Sequence, residues 1–178
     1  MSSHIPKIYC FIDEFNEEYI TKLKKNIAII YRNYKKEINI DELIKFRNTC
    51  KKNKRLFFLS NNPKIAAKLN LDGVYLPSFN NKINFNFYRK KNFLILGSAH
   101  SIPEIIIKER QKVDCIFLSP LFKTKKSTKY LGLNNFKKLS SHTNKKIIAL
   151  GGLNSKNLNK LKNLNIHGYA SISLFKNN

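Results

Sequence analysis

Eight short apolar runs constrain the fold of this chain more than any other feature. They occupy residues 8–12, 27–31, 56–59, 73–76, 93–96, 115–118, 147–150 and 168–173. Apolar runs of this length without polar alternation are typical of buried parallel strands. A doubly wound sheet usually carries about five or six strands. Eight runs therefore favour a compact (β/α)8 TIM barrel of the α/β class.

The segments between the runs predict helices. We expect Asn39 to cap a helix over 41–52, because its side chain can accept from the first free backbone N–H groups. Pro63 and Pro103 suit the first turns of two further helices. The predicted helices cover 17–25, 41–52, the segment after Pro63, 103–111 and 155–164, while 79–92 is expected to be a loop with little regular structure.

Length and composition predict one globular domain over residues 1–178. The 178 residues are 42% hydrophobic, which is enough for a sizeable core. No apolar run reaches the roughly 18 residues of a membrane helix, and the first residues lack a secretory signal pattern. We therefore expect a cytoplasmic protein without a membrane partner. Its three cysteines, Cys10, Cys50 and Cys115, show neither disulfide nor metal spacing.

The net charge of +23 raises the question of nucleic-acid binding. Of the 34 basic residues, 29 are Lys and only 5 are Arg, and they are spread along the whole chain. Such a distribution favours compositional drift of the surface over a dedicated binding face. No aromatic-basic motif of a nucleic-acid module is present. Nucleic-acid binding is therefore kept only as a minor alternative, and the sequence leaves the oligomeric state open.

Small and hydroxyl residues follow the sixth and seventh runs. The sixth run leads into Ser119-Pro120-Leu121-Phe122-Lys123-Thr124, and the seventh leads into Gly151-Gly152. Glycines after a buried strand let the backbone approach a ligand closely, and the N-terminus of a following helix attracts anions. The sequence therefore predicts a site for small phosphorylated substrates at this end of the strands.

Four strand-end motifs occur in the order found in one known family. They are Leu71-Asp72-Gly73-Val74-Tyr75-Leu76-Pro77, Gly97-Ser98-Ala99-His100-Ser101, Ser119-Pro120-Leu121-Phe122-Lys123-Thr124 and Ala149-Leu150-Gly151-Gly152. With these motifs the chain resembles the superfamily of thiamine-phosphate synthase and the TenI thiazole tautomerases, from about Lys7 to Phe175. The resemblance implies a transferase of thiamine biosynthesis. Such an enzyme joins a pyrimidine pyrophosphate to a thiazole phosphate and releases pyrophosphate.

The resemblance also implies a set of site residues. The catalytic candidates are Arg32, Ser98 and Lys129, and the candidates for binding substrate phosphates are Thr124, Gly151, Gly152 and Ser173. Other interpretations stay open at this point. Arg32 could instead stack on a neighbouring ring or pair with Glu37, and Lys129 could belong to a solvated lysine run. His100 is expected to be structural.

Several positions depart from the family pattern. Asn61 stands where a Mg²⁺-binding aspartate is expected, and the second acidic ligand falls near Phe79 or Asn80. Pro120 replaces the histidine of the tautomerase branch. Mg²⁺ is thus implied by the resemblance but opposed by the ligand types, since an amide is a weaker ligand for a hard cation. The alternative function is a degenerate TenI-like barrel that binds or isomerises a thiazole or thiamine phosphate.

Overall fold

The computed structural model describes residues 4–83, 92–125 and 127–175. Within them, eight parallel strands form a closed barrel in which each strand pairs with its neighbours in sequence and β8 pairs with β1. The strands are β1 (Ile8–Ile12), β2 (Ile27–Tyr31), β3 (Phe57–Ser60), β4 (Gly73–Leu76), β5 (Leu94–Ala99), β6 (Cys115–Leu118), β7 (Lys146–Leu150) and β8 (Gly168–Ser171). The predicted (β/α)8 barrel is confirmed.

Helices surround the barrel in the same described part of the chain. They are α1 (Glu17–Lys22), α2 (Ile40–Lys52), α3 (Pro63–Lys68), α4 (Ile102–Arg110), α5 (Gly132–Ser140) and a 3-10 helix (Leu158–Asn163). The predicted cap of α2 is confirmed, because the Asn39 side chain accepts from the Glu42 N–H at 3.1 Å. Pro63 lies in the first turn of α3, as expected. None of the described helices has both the length and the apolar character needed to cross a membrane.

Strand alternation divides the buried residues into two layers. Tyr9 and Phe11 of β1 point into the barrel, whereas Cys10 and Ile12 face the helices. Successive side chains of a strand point to opposite sides, so every strand contributes to both layers. Cys10, Cys50 and Cys115 are all buried, and none of the three forms a disulfide.

Aromatic rings fill the barrel interior. The Phe117 centroid lies 4.9 Å from that of Tyr9, 5.4 Å from that of Tyr75 and 6.2 Å from that of Phe11. Each such pair adds about 0.5–1.5 kcal/mol to the free energy of burial. Phe11, Tyr75 and Phe117 lie towards the carboxyl ends of their strands, and we call them the aromatic base.

Three elements differ from the sequence prediction. The helix predicted over 155–164 is wrong as an α-helix, because only the 3-10 helix forms there. Strand β5 continues through Gly97 to Ala99. A Cβ on Gly97 would come within 2.9 Å of side-chain atoms of Lys108 and Val113, so the glycine lets this segment pack tightly beneath α4. Helix α5 was not predicted, and residues 84–91 of the expected loop lie outside the described residues.

Candidate active site

The carboxyl ends of the eight strands form one edge of the barrel, which we call the rim. Arg32 follows β2, Asn61 follows β3, Ser98 lies near the end of β5 and Gly151-Gly152 follows β7. Closure of the barrel places these segments around one opening. Active sites of this fold are built at this end of the strands.

Arg32 is half-buried at the rim above the aromatic base. Its guanidinium carbon lies 4.5 Å from the centroid of the Phe11 ring. Its backbone N–H donates to the Ile12 carbonyl at 2.8 Å, which fixes the start of the side chain. No acceptor among residues 4–83, 92–125 and 127–175 takes a hydrogen bond from the guanidinium, and none of their carboxylates pairs with it. The alternative of ring stacking is thus realised on Phe11, and the donors stay available to a ligand.

Ser98 and Tyr75 connect the aromatic base to the rim. Both side chains are buried. Burial raises the pKa of Tyr75 to about 12, against the lowering effects of the nearby Ser98 hydroxyl and of the Arg32 charge. Tyr75 therefore keeps its proton at neutral pH and can act as a hydrogen-bond donor.

Two exposed aromatic side chains extend the rim above β3. The Tyr34 hydroxyl lies 2.7 Å from the Ser60 hydroxyl, and the Tyr34 and Phe79 rings meet edge to face at 5.6 Å. Burial raises the pKa of Tyr34, while Ser60 and the Arg32 charge oppose the shift. Phe79 is 63% exposed, so one face of the pair is open to a planar ligand.

The Gly151-Gly152 turn packs against the segment that follows β6. Gly151 has φ +97° and Gly152 has φ +70°. A Cβ on Gly151 would lie 2.7 Å from Pro120, and one on Gly152 would lie 2.5 Å from the carbonyl oxygens of Phe122 and Lys123. Across the described ranges, neither glycine N–H finds an acceptor. The turn thus presents two backbone donors suited to a phosphate.

Comparison with known proteins identifies the family. A family model described as thiamine monophosphate synthase matches residues 14–175. The chain belongs to this family. The recognition made from the strand-end motifs is therefore confirmed.

The relatives are distant but consistent. The chain is 28% identical over 183 residues to "Putative thiamine-phosphate synthase 2" of Aquifex aeolicus, covering 96% of this chain and 98% of that protein. It is 31% identical over 137 residues to the thiamine-phosphate synthase of Prochlorococcus marinus strain SARG, covering 75% of this chain but only 40% of that protein. A solved structure, "Thiamine phosphate pyrophosphorylase from Pyrococcus furiosus", shares the fold with a TM-score of 0.76 at 21% identity, covering 94% of this chain and 86% of that one.

The segment after the glycine turn forms a 3-10 helix in place of the expected α-helix. Asn154 accepts from the N–H groups of Lys156 and Asn157 at 2.9 and 3.1 Å, which closes a local turn. The Asn157 amide in turn donates to the Gly152 carbonyl at 2.9 Å. Hydrogen bonds that a side-chain oxygen accepts from the second and third following N–H groups are those of an N-cap, and the 3-10 helix follows from Leu158. Asn154 therefore caps this segment, while the α-helix predicted over 155–164 is wrong because the helix that forms is 3-10.

The remaining predicted site residues make only local contacts among the described residues, and none of these contacts holds them at the central opening. Thr124 and Ser127 close a small turn, in which the Ser127 N–H donates to the Thr124 hydroxyl at 3.1 Å. Lys129 is exposed and its backbone hydrogen-bonds Ser127. Ser173 is exposed just after β8. His100 contacts Glu104 through Nδ1 at 3.0 Å, in the first turn of α4.

The Mg²⁺ ligands implied by the family do not fit the residues present. Asn61 stands at the first position and Phe79 or Asn80 at the second, and the Asn80 amide nitrogen donates to the Asn61 amide oxygen at 2.7 Å. We call Asn61 and Asn80 the amide pair. Within the described residues, no three His, Cys, Asp or Glu side chains gather as a metal site. We therefore derive no step through a metal ion.

Sequence reasoning missed the roles of several rim residues. From the sequence, Phe79 was noted only as a departure and Tyr75 only as part of a motif, and neither Tyr34 nor Ser60 was singled out. Tyr75 could have been found from strand alternation, because it lies two residues after Gly73 on the inward side of β4. The pairing of Tyr34 with Ser60 joins residues 26 positions apart and has no signal in the sequence.

Proposed function

We propose that this protein is a thiamine-phosphate synthase. It joins a pyrimidine pyrophosphate to a thiazole phosphate and releases pyrophosphate. The match to the thiamine monophosphate synthase family over residues 14–175 carries the proposal. The near full-length relative from Aquifex aeolicus, whose name is that of a putative thiamine-phosphate synthase, supports it.

Positioning and charge stabilisation are the main tasks in this reaction. The bond between the pyrimidine methylene carbon and the pyrophosphate oxygen breaks, and the leaving group keeps both electrons. The thiazole nitrogen then donates its lone pair to that carbon and forms the new C–N bond. Arg32 stabilises the departing pyrophosphate with its free guanidinium donors. The backbone N–H groups of Gly151 and Gly152 hold the phosphate of the thiazole.

The aromatic side chains serve the carbon framework of the substrates. Tyr34 and Phe79 offer ring faces for a planar heterocycle at the rim. Phe11, Tyr75 and Phe117 are buried and pack edge to face at 5.2–5.4 Å, so they close the site from below with an apolar surface. Excluding water matters because it would capture the carbocation before the thiazole nitrogen does.

A turnover assay tests the proposal. Purified protein is incubated with the pyrimidine pyrophosphate and the thiazole phosphate, once with Mg²⁺ and once with EDTA, and thiamine phosphate is measured. Arg32→Met should lower the rate of product formation by on the order of 100-fold. Arg47→Met is the matched control, because Arg47 binds the Leu69 carbonyl and Asn48 on helix α2, away from the rim. Absence of product from the unmodified protein at high concentration under both conditions would reject the synthase.

A second candidate is a TenI-like barrel that binds or isomerises a thiazole or thiamine phosphate. The neutral amide pair favours it, since loss of the metal carboxylates accompanies retention of the Gly151-Gly152 turn. Calorimetry with thiazole phosphate and with thiamine phosphate separates the two candidates. Binding of either compound without turnover supports the second one.

Small phosphorylated molecules are the partners that this proposal requires. The free donors of Arg32, Gly151 and Gly152 suit them. A cytoplasmic location stays a prediction.

A further inference from the structure

The amide pair lies where two loops of the rim meet. Asn61 follows β3 directly and adopts φ +58°, a left-handed conformation that Asn tolerates better than most residues. Its backbone N–H donates to the Tyr75 carbonyl at 2.8 Å, which ties it to the neighbouring strand β4. Asn80 lies in the loop after β4 and reaches Asn61 at 2.7 Å. Both residues are half-buried.

Hydrogen-bond chemistry settles which way each amide points. The Lys82 backbone N–H, which can only donate, lies 3.0 Å from the Asn80 side-chain oxygen. The Asn80 nitrogen must therefore face Asn61, and Asn61 must present its oxygen. Both amide oxygens are thus already accepting hydrogen bonds. A cation could use either oxygen only in competition with a hydrogen bond.

A buried lysine prevents the loop from opening. Lys108 of α4 has no exposed surface, and its ammonium donates to the Pro77 carbonyl at 2.8 Å, the Asn80 carbonyl at 2.9 Å and the Gln111 side-chain oxygen at 3.0 Å. The Gln111 nitrogen donates to the carbonyls of Asn80 and Lys82 at 2.7 and 2.8 Å. The backbone on both sides of the Asn80 side chain is therefore fixed.

The charges around the amide pair also disfavour a divalent cation. Mg²⁺ is normally bound through one or two carboxylates, and the pair supplies none. The Glu104 carboxylate on α4 is engaged by the backbone and ring of His100. Arg32 and Lys108 both add positive charge to this side of the rim. The Arg32 guanidinium lies over the Phe11 ring and donates to no described acceptor, so its positive charge is available at the opening.

We infer that this rim binds the pyrophosphate group of its substrate without a divalent cation. The amide pair occupies the position of the metal ligands with oxygens that already accept hydrogen bonds. Arg32 supplies the positive charge that the metal would otherwise provide. The identity of the ligand rests on the proposed function. The statement about metal binding rests only on the amide pair and its anchors.

Metal titration of the protein alone tests the inference directly. Mn²⁺ binding is followed by electron paramagnetic resonance and Mg²⁺ binding by calorimetry, without any substrate. The unmodified protein should show no saturable site at the rim. Asn61→Asp combined with Asn80→Asp should create one, because two carboxylates would then face each other. A saturable Mn²⁺ site in the unmodified protein that disappears in the double Asn61→Ala, Asn80→Ala variant would overturn the inference.

The charge-matched control is Asn39→Asp combined with Asn154→Asp. Each of these asparagine oxygens accepts only from backbone N–H groups, a role that aspartate also fills. This variant adds the same two charges at separate places and should gain no metal site. Should the rim variant fail to fold, the titration of the unmodified protein still decides.

Pyrophosphate binding supplies the second readout. Inorganic pyrophosphate should bind the unmodified protein in EDTA, and Arg32→Met should lose this binding. Binding that occurs only with Mg²⁺ would contradict the inference. A protein that binds pyrophosphate in EDTA but makes no thiamine phosphate would refute the synthase proposal and leave the inference standing.

Discussion

Two arginines at opposite ends of the barrel differ in their role: one stabilises the fold and the other is available to a ligand. Arg55, at the amino end of β3, is 4% exposed and donates to the carbonyls of Leu23, Lys24 and Ile27 at 2.6–3.0 Å. Arg32, at the carboxyl end of β2, rests on Phe11 and donates its guanidinium hydrogens to no described residue. The same side chain is therefore structural at one end and free for a ligand at the other.

The difference follows from the direction of parallel strands. At the amino ends, short connections from the helices bring free backbone carbonyls together, and Arg55 satisfies three of them. At the carboxyl ends, the loops leave donors unpaired, as the N–H groups of Gly151 and Gly152 show. In this architecture, residues at the amino ends of the strands generally stabilise the fold, and residues at the carboxyl ends build the active site.

Arg55→Met should have the largest effect on stability. It removes the donor of the buried Leu23 and Ile27 carbonyls, while the Lys24 carbonyl keeps the Ile27 N–H as a donor. Each unsatisfied buried group costs about 1–3 kcal/mol, so we expect a loss of about 2–4 kcal/mol in the free energy of unfolding. Urea unfolding measures it. If the free energy of unfolding fell by no more than for an ordinary surface substitution, Arg55 would not have the structural role described above.

Arg32→Met should instead affect ligand binding. Removing a donor that stabilises a developing anion costs on the order of 100-fold in rate, and we expect a similar loss for pyrophosphate affinity. Its stability should fall by only about 0.5–1 kcal/mol, the worth of an exposed contact with Phe11. Calorimetry and urea unfolding measured on the same preparation provide both values. Equal losses of stability in Arg32→Met and Arg55→Met would show that the two ends do not differ.

Gly152→Ala tests how tightly the glycine turn packs against the segment that follows β6. Gly152 has φ +70° and its added Cβ would lie 2.5 Å from two carbonyl oxygens. Gly132 is the matched control, since it has φ +69° but its nearest neighbouring atom lies 4.0 Å away. Gly132→Ala should cost about 1–2 kcal/mol for the left-handed backbone alone. Gly152→Ala should cost about 2 kcal/mol more, because the turn must shift, as overpacked sites do. Thermal unfolding compares them, and equal costs would mean that the contact is not tight.

The pH dependence of stability should show the smallest effect. Burial raises the pKa of Tyr31 and of Tyr75 to about 12, from the ordinary value of 10.0. The folded state thus binds these protons more tightly than the unfolded state, so the stabilisation is complete below pH 10 and is lost as the pH rises from 10 to 12. Tyr75→Phe should make this decline shallower in urea unfolding at pH 9 to 12. An unchanged slope would place the Tyr75 hydroxyl in contact with water.

Local sequence signals predicted most of the scaffold. The strands at Ile8–Ile12, Ile27–Tyr31 and Gly73–Leu76 have the predicted bounds, and Asn39 and Pro63 mark the starts of α2 and α3. These features depend on residues within one turn or one strand, so a short window of sequence contains the information. The 3-10 helix at Leu158–Asn163 was mispredicted as an α-helix, because the two helix types have similar backbone dihedral angles and similar sequence preferences.

The sequence by itself determined the eight strands, the closed barrel and the ends of the strands where a ligand would bind. Only the tertiary structure decided that Arg32 lies on Phe11, that Asn61 meets Asn80 and that Lys108 holds the loop after β4. Apolar periodicity and caps act between near neighbours along the chain, and sequence displays them directly. Contacts between loops depend on the register and closure of the barrel, which no single segment encodes.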